Sequence, residues 1–290
     1  MRRLRRTIAM LERPLIVSQV VLLLLMLWTC VGGVSFLSSS ATAQVVNVND
    51  LSCVPILVYH RFGAVVTDSM TVTTLVFASH LQYLKEHGYT VIPLRQLVAD
   101  HLGQGPPPPP QSVVITADDA HRSVYTEMFP LVQQYHIPVT LFVYPSAIAN
   151  ASYAMTWEQL HELKDSGLFD IQSHTYWHPN FTIEKKRLSP FRYEQLVEEQ
   201  FIKAKTILER RLGGPVDLLA WPFGIYNEEL MAQAKAAGYI AAFTIERRHA
   251  SLSDPVMALP RYLMTNGDRG PAFARLLLEG ESERKLGCAS

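Results

Sequence analysis

The chain of 290 residues carries 26 basic and 26 acidic side chains, and 48% of its residues are hydrophobic. This composition excludes a wholly disordered chain, and the balanced charge gives no electrostatic reason to bind nucleic acid. Three cysteines are too few for a disulfide-dense scaffold.

The first predicted element is an export leader at 1–43. Residues 15–37 form an apolar run of 23 residues without a charged side chain, preceded by an arginine cluster and followed by small residues that end at Ala43. These regions in this order are typical of a secretory signal, with cleavage expected before Gln44. The run is also long enough to span a bilayer, so an uncleaved membrane anchor is the alternative. Both interpretations export the rest of the chain, to the periplasm or the cell surface.

Residues 44–290 are predicted to form one exported domain. Because 1–43 hold five arginines and a single acid, this domain has four more acidic than basic residues. Cys53 and Cys288 lie near its two ends. In an oxidising compartment they can form a disulfide, and two unpaired thiols are the alternative. Five prolines at 106–110 form a short, stiff segment, which we interpret as a surface connector within the domain.

Short apolar runs alternate with helical patterns through this domain. Strands are predicted at 55–59, 91–92, 113–116, 139–143, 169–171, 218–221, 239–243 and 261–264. Helices are predicted between them from apolar periodicity and from the start signals at Thr156, Ser189 and Asn227. Buried strands that alternate with helices indicate a parallel sheet. Seven or eight such units favour an α/β fold of the distorted (β/α) barrel type, with functional residues where strands end.

Two pairs of residues at predicted strand ends suggest a metal site. Asp118 and Asp119 follow one strand, and adjacent carboxylates need a cation or hydrogen bonds to offset their repulsion. His174 and His178 follow another, with a spacing that puts both rings on one face if the turn is helical. Each pair alone is weak evidence, since solvated acids and unrelated histidines are common. Together, one carboxylate and two histidines form a ligand set with open positions for a metal ion.

Two further strand ends carry His60 and the turn WPFG, which begins at Trp221. Alone, these would be a packed histidine and an aromatic turn. In a barrel, however, the carboxyl ends of the strands form one rim. We therefore expect His60 and Trp221 to lie close to the acid pair and the histidine pair.

Three motifs together resemble those of the polysaccharide deacetylases: TADD at 116–119, SHTYWHP at 173–179 and WPFG at 221–224. That family comprises metal-dependent carbohydrate esterases that remove N-acetyl groups from chitin-like, peptidoglycan or poly-N-acetylglucosamine chains. The resemblance extends over about 54–264. It implies a hydrolase that binds an N-acetylated polysaccharide and releases acetate.

The resemblance also implies a role for each motif residue. It assigns Asp119, His174 and His178 to a divalent metal, with Zn²⁺ the first choice and Co²⁺ or Ni²⁺ as alternatives. It assigns Asp118 to accepting a proton from the attacking water. It assigns a backbone N–H at Trp221 to stabilising the oxyanion of the tetrahedral intermediate.

His60 and Arg261 indicate one branch of this family. Many members carry a catalytic histidine in a Leu-x-His motif near the C-terminus, but no histidine follows His249 in this chain. The segment VYHRF around His60 instead resembles the circularly permuted branch, which includes exported poly-N-acetylglucosamine deacetylases, as does the segment LPR that ends at Arg261. By this resemblance His60 is the general acid and Arg261 orients Asp118.

Two positions depart from the family pattern. Ala117 replaces an aromatic residue, which we expect to open space behind the acids, and Ala120 replaces a glycine. Glycine allows a positive φ or a close backbone approach that alanine resists. Three hypotheses follow: an active N-deacetylase, a non-catalytic glycan-binding relative, and a structural envelope protein whose histidines are incidental. Metal content separates the third from the others, and acetate release separates the first two.

Overall fold

The computed structural model of the chain describes residues 53–285, with side chains as far as residue 279. The leader predicted at 1–43 and Cys288, the possible partner of Cys53, lie outside this range. Within residues 53–285, no helix combines the length and the apolar character that crossing a membrane requires.

The strands of the described residues are short and are mostly buried. They are β1 (Ile56–Tyr59), β2 (Arg61–Gly63), β3 (Thr71–Thr73), β4 (Thr90–Val91), β5 (Ser112–Asp118), β6 (Val139–Val143), β7 (Phe169–Ser173), β8 (Leu218–Ala220), β9 (Ala241–Phe243) and β10 (Tyr262–Leu263). All eight predicted strands are present. The sequence analysis missed β2 and β3, which pair with each other in a separate two-stranded sheet.

Helices connect these strands. They are α1 (Thr74–Glu86), α2 (Leu94–His101), α3 (Phe129–Tyr135), α4 (Trp157–Asp165), α5 (Phe181–Arg187), α6 (Pro190–Leu212), α7 (Glu228–Ala236) and α8 (Pro271–Lys285). The predicted start signals operate as expected in α4 and α7. Thr156 and Gln159 form a reciprocal capping box, and the Asn227 side chain accepts a hydrogen bond from the Leu230 N–H. The proline segment 106–110 lies between α2 and β5 and is mostly exposed.

The main sheet is parallel, with the strand order β10-β1-β5-β6-β7-β8-β9 and β4 paired with β5. The chain from Leu259 to β10 closes the gap between the two ends of this order. Leu259 forms hydrogen bonds to β9 and to the residue after it, with its N–H donating to Ala242 at 2.9 Å and its carbonyl accepting from Thr244 at 2.8 Å. Three and four residues later, β10 pairs with β1. The predicted distorted (β/α) barrel is thereby confirmed.

The packing of the core explains why the strands are continuous apolar runs in the sequence. Every residue of β1, β5, β6, β8 and β9 is buried, because side chains pack both inside the barrel and against the surrounding helices. Asp118, the last residue of β5, is buried along with the rest of its strand. A carboxylate so placed requires a charged partner, and the position of that partner defines the site.

Candidate active site

The structure brings the predicted site residues together at the carboxyl ends of the strands. A cavity of about 400 Å³ opens there. Six of the seven predicted residues line it, namely His60, Asp118, Asp119, His174, His178 and Trp221. The seventh, Arg261, is fully buried and contacts Asp118 directly.

One carboxylate and two histidines in this cavity converge on a common point. Ligand atoms of Asp119, His174 and His178 lie within 4.8 Å of one another. The Asp119 Oδ1 is 3.6 Å from the His174 Nε2 and 3.8 Å from the His178 Nε2. Two imidazoles and one carboxylate at this spacing fit a divalent transition metal with positions left open for other ligands.

The backbone that carries His174 and His178 is not a helical turn. Residues 174–178 form an irregular loop after β7, and Thr175 and His178 have φ values of 65° and 62°. The condition under which one helical face would present both histidines is therefore not met. The loop nevertheless turns back on itself, so the His174 and His178 rings lie 4.5 Å apart, edge to face.

The surroundings of His174 fix which of its nitrogens faces the cluster. Its Nδ1 lies 2.8 Å from the backbone carbonyl of Ala220, to which an N–H at this atom donates. The Nε2 is thereby left unprotonated and directed toward the carboxylates, as a metal ligand requires. Burial, followed by the proximity of His178, lowers the pKa of His174 to about 3. Burial also lowers the pKa of His178. Both rings are therefore neutral, as ligands must be.

Asp118 is held in a fork of hydrogen bonds by Arg261. The two terminal nitrogens of Arg261 donate to the two carboxylate oxygens at 2.9 and 2.8 Å, and its Nε donates to the Thr244 carbonyl at 2.9 Å. Burial raises the pKa of Asp118, but the Arg261 charge and then His174 outweigh it, and the pKa falls to about 2. Asp118 is therefore ionised, fixed in orientation and separate from the three-ligand cluster. Asp119, by contrast, has a raised pKa because of its burial.

His60 lies on the cavity wall immediately after β1. It is buried, and its Nδ1 has no hydrogen-bond partner among the described residues. Burial lowers the pKa of His60, while the charges of Asp118 and Asp119 act in the opposite direction. A buried imidazole near two carboxylates, with one nitrogen uncommitted, is suited to proton transfer.

The backbone N–H of Trp221 does not have the freedom that the sequence analysis expected. It donates to the Phe243 carbonyl at 3.0 Å, in the hydrogen bonding between β8 and β9, and the indole Nε1 donates to Met257 at 2.8 Å. The structure therefore disagrees with Trp221 as the oxyanion donor, because its N–H belongs to the sheet. Pro222 has no N–H, so the next one in the turn is that of Phe223.

The two departures from the family pattern leave this geometry intact. Ala120 adopts a φ of 52° and Asp119 a φ of 73°, so both occupy the left-handed region that glycine enters more easily. Ala120 is fully buried, and its carbonyl accepts from the Met155 N–H at 3.0 Å. Ala117 is fully buried in the core. The strained backbone is held in place by this packing.

Two aromatic residues of the site were not singled out from the sequence. The Phe223 ring lies 4.5 Å from the His178 ring, and the Tyr144 ring lies 5.4 Å from it. The Tyr144 hydroxyl is 2.6 Å from that of Tyr153. Phe223 is part of the WPFG turn, and Tyr144 directly follows β6. The rule that functional residues follow strands could have identified Tyr144.

A family model places this arrangement among known proteins. Residues 105–242 match the model of the polysaccharide deacetylases. The matched range contains the acid pair, both histidines and the WPFG turn. Residues 105–242 therefore form a polysaccharide deacetylase domain, the family that the motifs resemble.

The chain is also similar to individual proteins whose activity is named. The chain is 27% identical to the poly-beta-1,6-N-acetyl-D-glucosamine N-deacetylase of Staphylococcus epidermidis, over 72% of this chain and 72% of that relative. It is 26% identical to the enzyme of the same name from Escherichia coli, over 72% of this chain and 36% of that longer relative. Among solved structures, the Streptococcus pyogenes deacetylase PplD superposes with a TM-score of 0.70 at 21% identity, over 78% and 99% of the two chains. This last likeness supports the fold.

Proposed function

We propose that this chain is an exported, metal-dependent N-deacetylase that removes acetyl groups from a polysaccharide of N-acetylglucosamine units. The observation that carries the proposal is the separation of two adjacent acids into different surroundings. Asp119 lies with His174 and His178 in a metal-ligand cluster, whereas Asp118 is paired with Arg261. One acid is thereby available to bind a metal and the other to transfer a proton.

Asp119, His174 and His178 would hold the divalent ion. Zn²⁺ suits this ligand set best, and Co²⁺ or Ni²⁺ would also fit. Such an ion supplies polarisation of the acetyl carbonyl and a lowered pKa for the attacking water. The hydrogen bond from His174 Nδ1 to the Ala220 carbonyl supports this role, because it fixes the ring and makes its Nε2 a better donor to the metal.

Asp118 takes the proton of the attacking water as the C–O bond to the acetyl carbon forms. Its carboxylate is ionised, and the paired hydrogen bonds from Arg261 keep it from rotating. Its Oδ2 lies 3.8 Å from the His174 Nε2, so it borders the metal-ligand cluster without being consumed by it. Arg261 acts only through Asp118 and is therefore a positioning residue.

Departure of the sugar amine needs a proton, because an amide anion is a poor leaving group. His60 lines the same cavity and delivers that proton to the nitrogen as the C–N bond breaks. The oxyanion that forms in between accepts a hydrogen bond from the backbone N–H of Phe223, which replaces Trp221 in this role. The products are acetate and a glucosamine unit of the polymer.

Export of the enzyme rests on the leader pattern at 1–43, with a basic segment, an apolar run and small residues before Gln44. The named activity of the Staphylococcus epidermidis and Escherichia coli relatives supports a poly-N-acetylglucosamine substrate.

Acetate release from a panel of N-acetylated glycans, with Asp118→Asn as the matched control, tests this proposal. We expect wild-type protein to release acetate from poly-N-acetylglucosamine and the variant to release about 10²–10⁴-fold less. Binding of the polymer without any acetate release would instead identify a non-catalytic glycan-binding relative. Neither binding nor release, in a folded protein loaded with Zn²⁺, would contradict both hypotheses.

A further inference from the structure

The loop that carries the two candidate histidine ligands is attached to α6 by a glutamine that no motif indicated. Gln200 is fully buried in α6, and its Oε1 accepts a hydrogen bond from the backbone N–H of Trp177 at 2.9 Å. Trp177 immediately precedes His178. Since a backbone N–H can only donate, this bond fixes which end of the side-chain amide faces the loop.

We infer that Gln200 is a positioning residue for the metal centre, which holds the 174–178 loop in the conformation that lets His178 meet His174 and Asp119. The inference rests on the metal site proposed above. It assigns to α6 a part in metal binding that goes beyond packing, although Gln200 itself contacts no ligand atom.

The backbone of this loop requires such a restraint. Thr175 and His178 both have positive φ values, which side chains other than glycine adopt only when the surroundings impose them. Inside the loop, the Thr175 N–H donates to the Ser173 hydroxyl at 3.2 Å and the His178 N–H to the Thr175 hydroxyl at 3.1 Å. These bonds stiffen the loop, and the bond to Gln200 attaches it to a helix of 23 residues.

A second contact between α6 and this loop supports the positioning role of the helix. The Lys203 ammonium, one turn after Gln200, lies 3.9 Å from the centroid of the Tyr176 ring. The carbonyl of Tyr176 accepts a hydrogen bond from the Ser146 N–H at 3.1 Å on the other side. Residues 176 and 177 are therefore held between α6 and the segment after β6, and His178 follows directly.

The side-chain nitrogen of Gln200 gives a reason to assign the positioning role to its acceptor oxygen. Its Nε2 is buried and has no hydrogen-bond partner among the described residues. Burying an unpaired amide N–H is unfavourable, and methionine would fill similar volume without that cost. Packing alone therefore favours an apolar residue at position 200, whereas the Trp177 N–H favours an oxygen.

The test measures metal affinity, by competition of Zn²⁺ against a chromophoric chelator, on the full chain. Gln200→Met should weaken Zn²⁺ binding by about 10- to 100-fold, the usual effect of losing a partner that orients a ligand. Gln195→Met is the matched control, because Gln195 is an exposed glutamine on the same helix that contacts Arg192. It should bind as wild type does. Gln200→Glu, which keeps an acceptor oxygen, should bind Zn²⁺ more tightly than Gln200→Met.

The outcomes separate this inference from the proposed function. Equal Zn²⁺ affinity in wild type and folded Gln200→Met overturns the positioning role and leaves the metal site standing. No Zn²⁺ binding by wild type overturns both. If Gln200→Met does not fold, Gln200→Asn is compared instead, because its shorter side chain withdraws the oxygen from Trp177 while staying polar. Wild-type affinity in that variant overturns the inference equally.

Discussion

Replacing Arg261 by methionine should destabilise the folded chain and remove its activity, because a buried carboxylate then loses its counter-charge. Arg261 and Asp118 are both almost completely inaccessible to solvent and share two hydrogen bonds. Methionine keeps part of the aliphatic volume of arginine but none of its five donors. The contact of the guanidinium with the Phe142 ring, 5.3 Å from its centroid, is lost as well.

The expected loss of stability in Arg261→Met follows from the surroundings of Asp118. Its pKa falls from the ordinary 3.8 to about 2 although burial acts in the opposite direction. One pKa unit corresponds to about 1.4 kcal/mol, so the net depression alone is worth about 2 kcal/mol. Without Arg261, the pKa of Asp118 loses the largest influence that lowers it, while burial still raises it. Breaking a buried pair from one side typically costs about 3–5 kcal/mol, which we expect for Arg261→Met.

Urea unfolding in the presence of a chelator measures this loss without a contribution from bound metal. The matched comparison is the double variant Arg261→Met with Asp118→Asn, in which no charge is left unpaired. It should be more stable than Arg261→Met alone. A loss below about 1 kcal/mol in the single variant, or a double variant no more stable than the single, would refute the buried pair as described.

Three further predictions concern other groups. His60→Asn should keep its metal and fold but hydrolyse the N-acetyl substrate about 10²–10⁴-fold more slowly, with a much smaller effect on an activated acetyl ester, whose leaving group needs no proton; a near-wild-type amide rate would exclude His60 as the acid. Burial lowers the pKa of His80 from 6.5 to about 4, so the unfolded chain binds the extra proton between these values. The stability contributed by neutral His80 is therefore complete above about pH 6.5 and is lost as the pH falls toward 4, by about 3 kcal/mol. Urea midpoints of His80→Gln should vary less over this range than those of wild type, and parallel curves would contradict this. A reporter fused after Ser290 should be active outside the cytoplasm, and activity inside alone would contradict export.

Most of the site was predictable because the positions of the strands and the spacing of the motifs can be identified from local stretches of the sequence. Once β1, β5, β7 and β8 are recognised as parallel strands, the residues after them must share one edge of the sheet. His60, Asp118 and His174 needed no further information than that. Arg261 was assigned through the family resemblance, and in the structure it donates two hydrogen bonds to Asp118.

The features of the site that the sequence analysis did not identify depend on contacts between distant segments of the chain. The histidine spacing left open whether the loop 174–178 is helical, and its hydrogen bond to Gln200 and its positive φ values give it an irregular shape. The Trp221 N–H looked available in the motif and is taken by Phe243, a residue of the next strand. Gln200 itself lies in an ordinary amphipathic helix. Neither Gln200, the partner of Trp177, nor Phe243, the partner of Trp221, could be identified from spacing along the chain.

Titration of metal-stripped protein with Zn²⁺, following acetate release from poly-N-acetylglucosamine, tests the central claim most directly. The cluster of Asp119, His174 and His178 predicts no release without metal and a rate that rises to a plateau at one ion per chain. The variants Asp119→Ala and His174→Ala should stay folded, bind no stoichiometric Zn²⁺ and release no acetate. Full activity of the stripped protein, or one tightly bound ion in both variants, would contradict the assignment.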